Sequence, residues 1–388
     1  MKVIVVGGGV FGLTAAIELT ARGHTVTLLD PGPLPHPLAE STDISKVVRI
    51  DYGADLDYTA LGEAAVAGWK TWNEAWARPL FHETGVTFLS RAPMEPGGFE
   101  HDSYELLVSR GHPLERLNAT DIPTWFPAYR PGAFVDGYFN PVGGWAESGA
   151  VIAKLVSEAR VSGVTITANR TVERITDDGV DVTSPGGGTT HMTAELVVAC
   201  AGAWVPQVLP ELASSILPNG QPIFHLRPND RSLFAAARFP VFGADISRTG
   251  YYGFPVTSDG IVKIANHGTG VPGINEGDLA VGPDQDAALR LFLRTVFPDL
   301  ADAPIVHRRV CVYADTLDGH FWIARHPDRP NLVVATGGSG HAFKFAPVLG
   351  ALIADIALGV PHPLSHKFRW RPELATASRG DAARHLDR

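Results

Sequence analysis

Residues 2–6 (Lys-Val-Ile-Val-Val) form a short apolar, β-branched run, the pattern of a strand buried on both faces of a parallel sheet. The run breaks at Gly7-Gly8-Gly9-Val10-Phe11-Gly12. Residues 13–19 then carry a helical pattern, which Gly23 ends. Residues 25–29 predict a second strand closing on Asp30, and a proline-rich stretch, 31–37, leaves the sheet as a loop. Helical periodicity returns at 58–76 and at 148–159, the second helix with Ser148 as its cap. Apolar strands recur at 196–199, running into Cys200 and Gly202, and at 332–336. The last is followed by the loop Gly337-Gly338-Ser339-Gly340-His341 and a helix over 347–358. The runs 164–167 and 171–175, with the glycine turn after Pro185, predict a small hairpin insert.

Between these periodic segments the pattern becomes short pieces broken by Gly, Pro and aromatics, over about 79–139 and 215–319. The fold class expected is α/β, with two domains. A Rossmann-like nucleotide-binding domain is assembled from residues 1–82, 143–214 and 320–388, and a mostly antiparallel substrate domain is inserted as 83–142 and 215–319.

Composition narrows the function. Apolar residues are 45% and charged residues 19% of 388, enough for two substantial cores. A net charge of −9 without a basic tract argues against nucleic acid. Two cysteines outside any Cys-x-x-Cys pair make neither a disulfide framework nor a structural zinc site. No apolar run is long enough for a membrane span, and the chain starts on a strand rather than a signal sequence, so a cytoplasmic compartment is expected.

Strand, Gly7-x-Gly9-x-x-Gly12, helix, strand and terminal acid form the dinucleotide fingerprint in its required context. Gly7 makes the turn, Gly9 admits the pyrophosphate, and Gly12 lets helix and strand approach. Asp30 is the acceptor expected for the adenosine ribose hydroxyls. The loop alone does not separate NAD from FAD. The second glycine loop and helix near the C-terminus favour a flavin, whose N1–C2=O edge gains negative charge on reduction and suits a positive helix end.

Five motifs together resemble the monomeric sarcosine oxidase and fructosyl amino acid oxidase family of D-amino-acid-oxidase-like flavoproteins. They are the glycine loop; Ser45-Lys46-Val-Val-Arg49-x-x-Tyr52-Gly53; Tyr252-Gly-Phe-Pro with Lys263 and His267; Cys311-x-Tyr313-x-x-Thr316-x-Asp318-x-His320-Phe321; and Gly340-His341-x-Phe343-Lys344-Phe345. The resemblance implies oxidation of a small N-substituted amino acid at a C–N bond. The imine hydrolyses, and O2 reoxidises the cofactor to give hydrogen peroxide. An amino acid dehydrogenase passing electrons to another acceptor is the alternative, and a flavin-binding subunit without catalysis a third reading.

The resemblance also implies residue roles. Cys311 carries FAD through a thioether to its 8α-methyl group, and Arg49 and Lys344 clamp the substrate carboxylate. Lys263 activates oxygen. His267, Tyr252 and Tyr313 shape the amine site, and Tyr251 adds an aromatic that alters its size. Gly7, Gly9, Val10, Phe11, Gly12, Asp30, Ser45, Lys46, Gly338, Gly340, His341 and Lys344 contact the cofactor. Sarcosine oxidases tend to have arginine where Lys46 stands, and fructosyl amino acid oxidases lysine, which leans toward the second branch. Cys200 reads as core. No carboxylate is assigned as a base, since an aligned neutral amine gives up hydride without one. A monomer is expected.

Overall fold

The computed structural model describes residues 1–273, 279–372 and 384. Among these, the nucleotide sheet has six strands in the order Trp322–Arg325, Leu332–Thr336, Leu196–Ala199, Lys2–Val6, Thr25–Asp30 and Thr165–Ala168. All neighbours pair in parallel except the first two. Strand alternation decides what covers each face. Val3 and Val5 join the cluster formed with helices Val10–Ala21, Ser148–Ser162 and Ala346–Leu358. Ile4 and Val6 pack on the opposite side against Val172, Val180 and Val182 of a three-stranded antiparallel sheet, Thr171–Ile175, Gly179–Thr183 and Thr189–Thr193.

Two expectations are corrected here. The run near 164–167 is not half of a hairpin. As Thr165–Ala168 it adds to the parallel sheet beside Thr25–Asp30, because the preceding helix returns the chain to the sheet edge as a crossover. Ser148 is not a cap but the first helical residue, after Glu147. Its Oγ instead donates to Asp43 O at 2.8 Å.

The second large sheet has nine strands, all within 83–142 and 215–319, whereas all six of the nucleotide sheet fall within 1–82, 143–214 and 320–388. Its spine is the antiparallel pair Ile216–Leu226 and Ile305–Thr316, with Val262–Asn266 on the other side of Ile216–Leu226. Tyr251–Gly253 follows, then Val241–Ala244. Val241–Ala244 pairs in parallel with Val86–Ser90, so the two inserted blocks meet within one sheet. An aromatic core of Tyr129, Phe234, Phe239, Phe242 and Phe297 backs it. A small sheet of Lys46–Val48, Gly144–Ala146 and Phe81–His82 fixes the strand that leads into Arg49. No helix among the described residues is long and apolar enough to cross a membrane.

Candidate active site

A cavity of about 390 Å³ opens where the first glycine loop meets Ala201–Gly202, Gly338 and Phe343. Gly7 sits at φ +104°, and a Cβ there would strike the backbone of Cys200; a Cβ at Gly12 would strike Gly7 O. Both glycines are thus required by the protein's own packing. Gly9 differs: its Cβ would meet only Ser41 Oγ, at 3.4 Å, so its bareness leaves backbone open to the cavity. That fits a pyrophosphate at the N-terminus of helix Val10–Ala21.

Asp30 does more locally than expected. Its Oδ2 accepts from Gly8 N at 2.8 Å and its Oδ1 from Gly32 N at 3.0 Å, bracing the loop while the residue still lines the cavity. Ser41, missed in the sequence, accepts from Val10 N at 3.0 Å. Cys200, expected as core, is buried in the apolar cluster and also borders the cavity.

A second cavity, about 50 Å³, adjoins the first at Phe343, which lines both. Around it stand Lys46, Arg49, Tyr252, His267, Tyr313, Gly340, His341 and Lys344. Five separate stretches of sequence therefore converge. Arg49 is 6% exposed, its guanidinium 4.4 Å from the centre of the Tyr52 ring. Lys344 Nζ donates to Tyr52 Oη at 2.9 Å and His341 O at 2.7 Å, and Tyr52 Oη lies 3.1 Å from His341 Nδ1. Tyr52 thus lies between the two cations. Burial raises the pKa of Asp51 behind Arg49, against the Arg49 charge and hydrogen bonds from Tyr138 (2.9 Å) and Asn140 (3.3 Å).

The hydroxyls of Tyr252 and Tyr313 hydrogen-bond each other. Burial raises both pKa values, so both are neutral at physiological pH. The His267 ring is centred 5.7 Å from that of Tyr313. Gly340, at φ +79°, lies against the Tyr313 ring with no room for a Cβ. Tyr251 is corrected: it stacks on Phe292, centroids 4.0 Å apart, and belongs to the aromatic core rather than the pocket.

Lys263 lines neither cavity. It is fully buried, with Nζ 2.6 Å from Asp43 Oδ2 and donating to Ser45 O at 2.5 Å. Burial pushes its pKa down to about 8, against the Asp43 charge. Asp43 suffers the same burial, yet Lys263, a His225 hydrogen bond, Arg309 and Lys46 hold its carboxyl well below the usual range. Cys311 is also outside both cavity linings. Its Sγ lies 3.7 Å from Lys46 Nζ and 3.9 Å from Glu40 O. Lys46 remains charged: burial opposes the charge, but Cys311, Tyr252, Glu40 and Asp43 raise its pKa.

Glu40 and Asp43, like Ser41, are residues that sequence reasoning missed. Glu40 lines the larger cavity, and burial pushes its pKa up to about 7, against Lys46. Both lie in the aperiodic stretch 39–46. The one signal available was an unusual density of polar residues just before a strand.

The FAD dependent oxidoreductase (DAO) family model matches residues 2–356. Monomeric sarcosine oxidase of a Bacillus species (strain B-0618) is 27% identical over 363 residues, covering 92% of each chain. N-methyl-L-tryptophan oxidase of Salmonella arizonae is 31% identical over 361 residues, covering 92% of this chain and 94% of that one. Fructosamine oxidase (Amadoriase II) of Aspergillus fumigatus, solved in complex with FSA, superposes with a TM-score of 0.82 at 26% identity, covering 100% of this chain and 93% of that one. The glycine cradle, the two adjoining cavities and these matches over nearly the whole chain agree: the protein belongs to the FAD dependent oxidoreductases of the DAO family.

Proposed function

We propose that this protein oxidises an N-substituted α-amino acid to an imine and passes the electrons to O2, giving hydrogen peroxide. One observation carries the reading. Two buried cations, Arg49 and Lys344, face a cavity that adjoins the nucleotide cavity and is closed on other sides by Tyr252, Tyr313 and His267. FAD, when bound, supplies the hydride acceptor and the electrons for oxygen. Gly7, Gly9, Val10 and Phe11 would hold its pyrophosphate, and Gly338 and Gly340–His341 its ring system.

The protein's own residues do the rest. Arg49 and Lys344 bind the carboxylate and so orient the Cα–H or N-alkyl C–H toward the cofactor. Among the described residues no carboxylate lines the smaller cavity, so the substrate reacts as the neutral amine. Lys46, 3.7 Å from Cys311 Sγ, places a positive charge beside the sulfur that would form the thioether to FAD. Lys263 provides positive charge for the oxygen step.

The reading keeps the FAD-binding domain at 1–82, 143–214 and 320–388. The test is anaerobic bleaching of the yellow protein by a panel of secondary amines. N-methyl and cyclic amino acids should bleach it, and their decarboxylated analogues should be on the order of 10²-fold poorer in kcat/KM. Equal efficiency with and without the carboxylate sinks the clamp. Bleaching by the amine, with colour restored by a dye but not by O2, would favour the dehydrogenase.

A further inference from the structure

Behind the smaller cavity, three antiparallel strands place His307, His225 and Lys263 opposite one another in a single cross-strand row. His307 is exposed, His225 is 8% exposed and Lys263 is fully buried, so the row runs from solvent into the core. Asp43 lies across its inner half, with Oδ1 3.1 Å from His225 Nε2 and Oδ2 2.6 Å from Lys263 Nζ. The His225 and His307 rings pack against each other, centred 5.0 Å apart. We propose that His307, His225, Asp43 and Lys263 form a relay that carries a proton from solvent to the site of oxygen reduction.

The chemistry requires such a supply. The hydride taken from the amine carries two electrons and one proton. Converting O2 to hydrogen peroxide needs those and one proton more. Lys263 gives that proton from its ammonium and recovers it through Asp43 from His225, which recharges by way of His307. A fully buried lysine with no route to water would give a proton once and then stay neutral. Arg309 and Lys46 are the other charges facing Asp43. Arg309 is anchored instead on Pro37 O and Thr42 O and does not exchange protons at neutral pH. Burial and the neighbouring His225 and Arg309 lower the pKa of His307, against Asp43.

The inference rests on Lys263 serving the oxygen half of the cycle. The experiment compares Lys263→Met, His225→Gln and His307→Gln by stopped-flow, measuring reoxidation of the reduced holoenzyme against its anaerobic reduction across pH. For His225→Gln the ratio of reoxidation to reduction should fall about tenfold, and imidazole in the buffer should restore part of it. Two-bond 1H–15N spectra of histidine-labelled protein add a readout independent of turnover: the His225 titration should move in Lys263→Met. A slow Lys263→Met beside a His225→Gln with wild-type reoxidation and pH profile overturns the relay and leaves the lysine's role standing. Wild-type reoxidation in Lys263→Met itself removes the premise.

Discussion

A lysine with no exposed surface is charged only while something nearby favours its charge, and Lys263 has one carboxylate for that purpose. Its pKa of about 8 lies below the roughly 10.4 of an unfolded chain, so charging it costs stability at neutral pH, and that cost disappears as pH rises from about 8 to 10.4. Function runs the other way. The ammonium is present below about 8 and lost above it, so the oxygen half-reaction should slow as pH climbs through that value, read by stopped-flow. Lys263→Met should slow it on the order of 10²-fold at pH 7 and abolish that limb of the profile. For Cys311, the yellow colour should precipitate with the acid-denatured wild-type chain. It should stay in solution with Cys311→Ser, and colour retained by the variant would reject the thioether. Candidate residues could be named from the sequence only where they stood inside a motif. Asp43 and Glu40 lie in an aperiodic stretch, and no spacing rule marks an aperiodic carboxylate as buried. Their importance comes from partners 182 to 274 residues away, such as His225, Lys263 and Ala314.

Elements were far easier to read. The strands of the βαβ unit at the start were predicted nearly to the residue, since a buried strand, a glycine turn and an apolar helix each leave a local trace. Helix boundaries drifted by one to three residues because caps depend on what lies beyond the helix. Helix Leu56–Ala75 begins earlier than its periodicity implied, held by the Asp55 side chain, which accepts from Tyr58 N at 3.0 Å. What could not be read was how elements touch. Gly350, midway along Ala346–Leu358, lets that helix press against helix Val10–Ala21, and a Cβ there would strike Thr14 O. Gly350→Ala should therefore destabilise the protein by roughly 1–3 kcal/mol in urea unfolding, although alanine is the better helix former. A neutral or stabilised variant would mean the two helices can separate at little cost.

Across the whole molecule, the chain returns from the nine-stranded sheet to the nucleotide sheet after Thr316, and a buried ion pair secures the crossing. Arg371 grips Asp318 through two hydrogen bonds of 2.7 and 2.8 Å, reaches His320 O at 2.9 Å, and sits 4.9 Å from the Trp322 ring. Burial alone would raise the Asp318 pKa, but Arg371 holds it below the ordinary value. The stabilisation is thus present above about pH 3.9 and fades as pH falls through the depressed folded value. Arg371→Gln should cost roughly 3 kcal/mol near pH 6 in urea, and the gap to wild type should close in acid. A gap that does not change with pH would locate the effect in packing against Trp322 instead.

The stretch 39–46 joins the two cavities to the buried charges behind them. Glu40 borders the cofactor cavity, Ser41 braces the glycine loop, Asp43 and Ser45 hold Lys263, and Lys46 faces Cys311. On the proposed function, these eight consecutive codons would bear together on cofactor retention, tethering and the choice of electron acceptor. A saturation library confined to them, screened for dye reduction against peroxide release, should reach acceptor-switched variants without altering the amine clamp. It should also show which of these traits can be inherited separately.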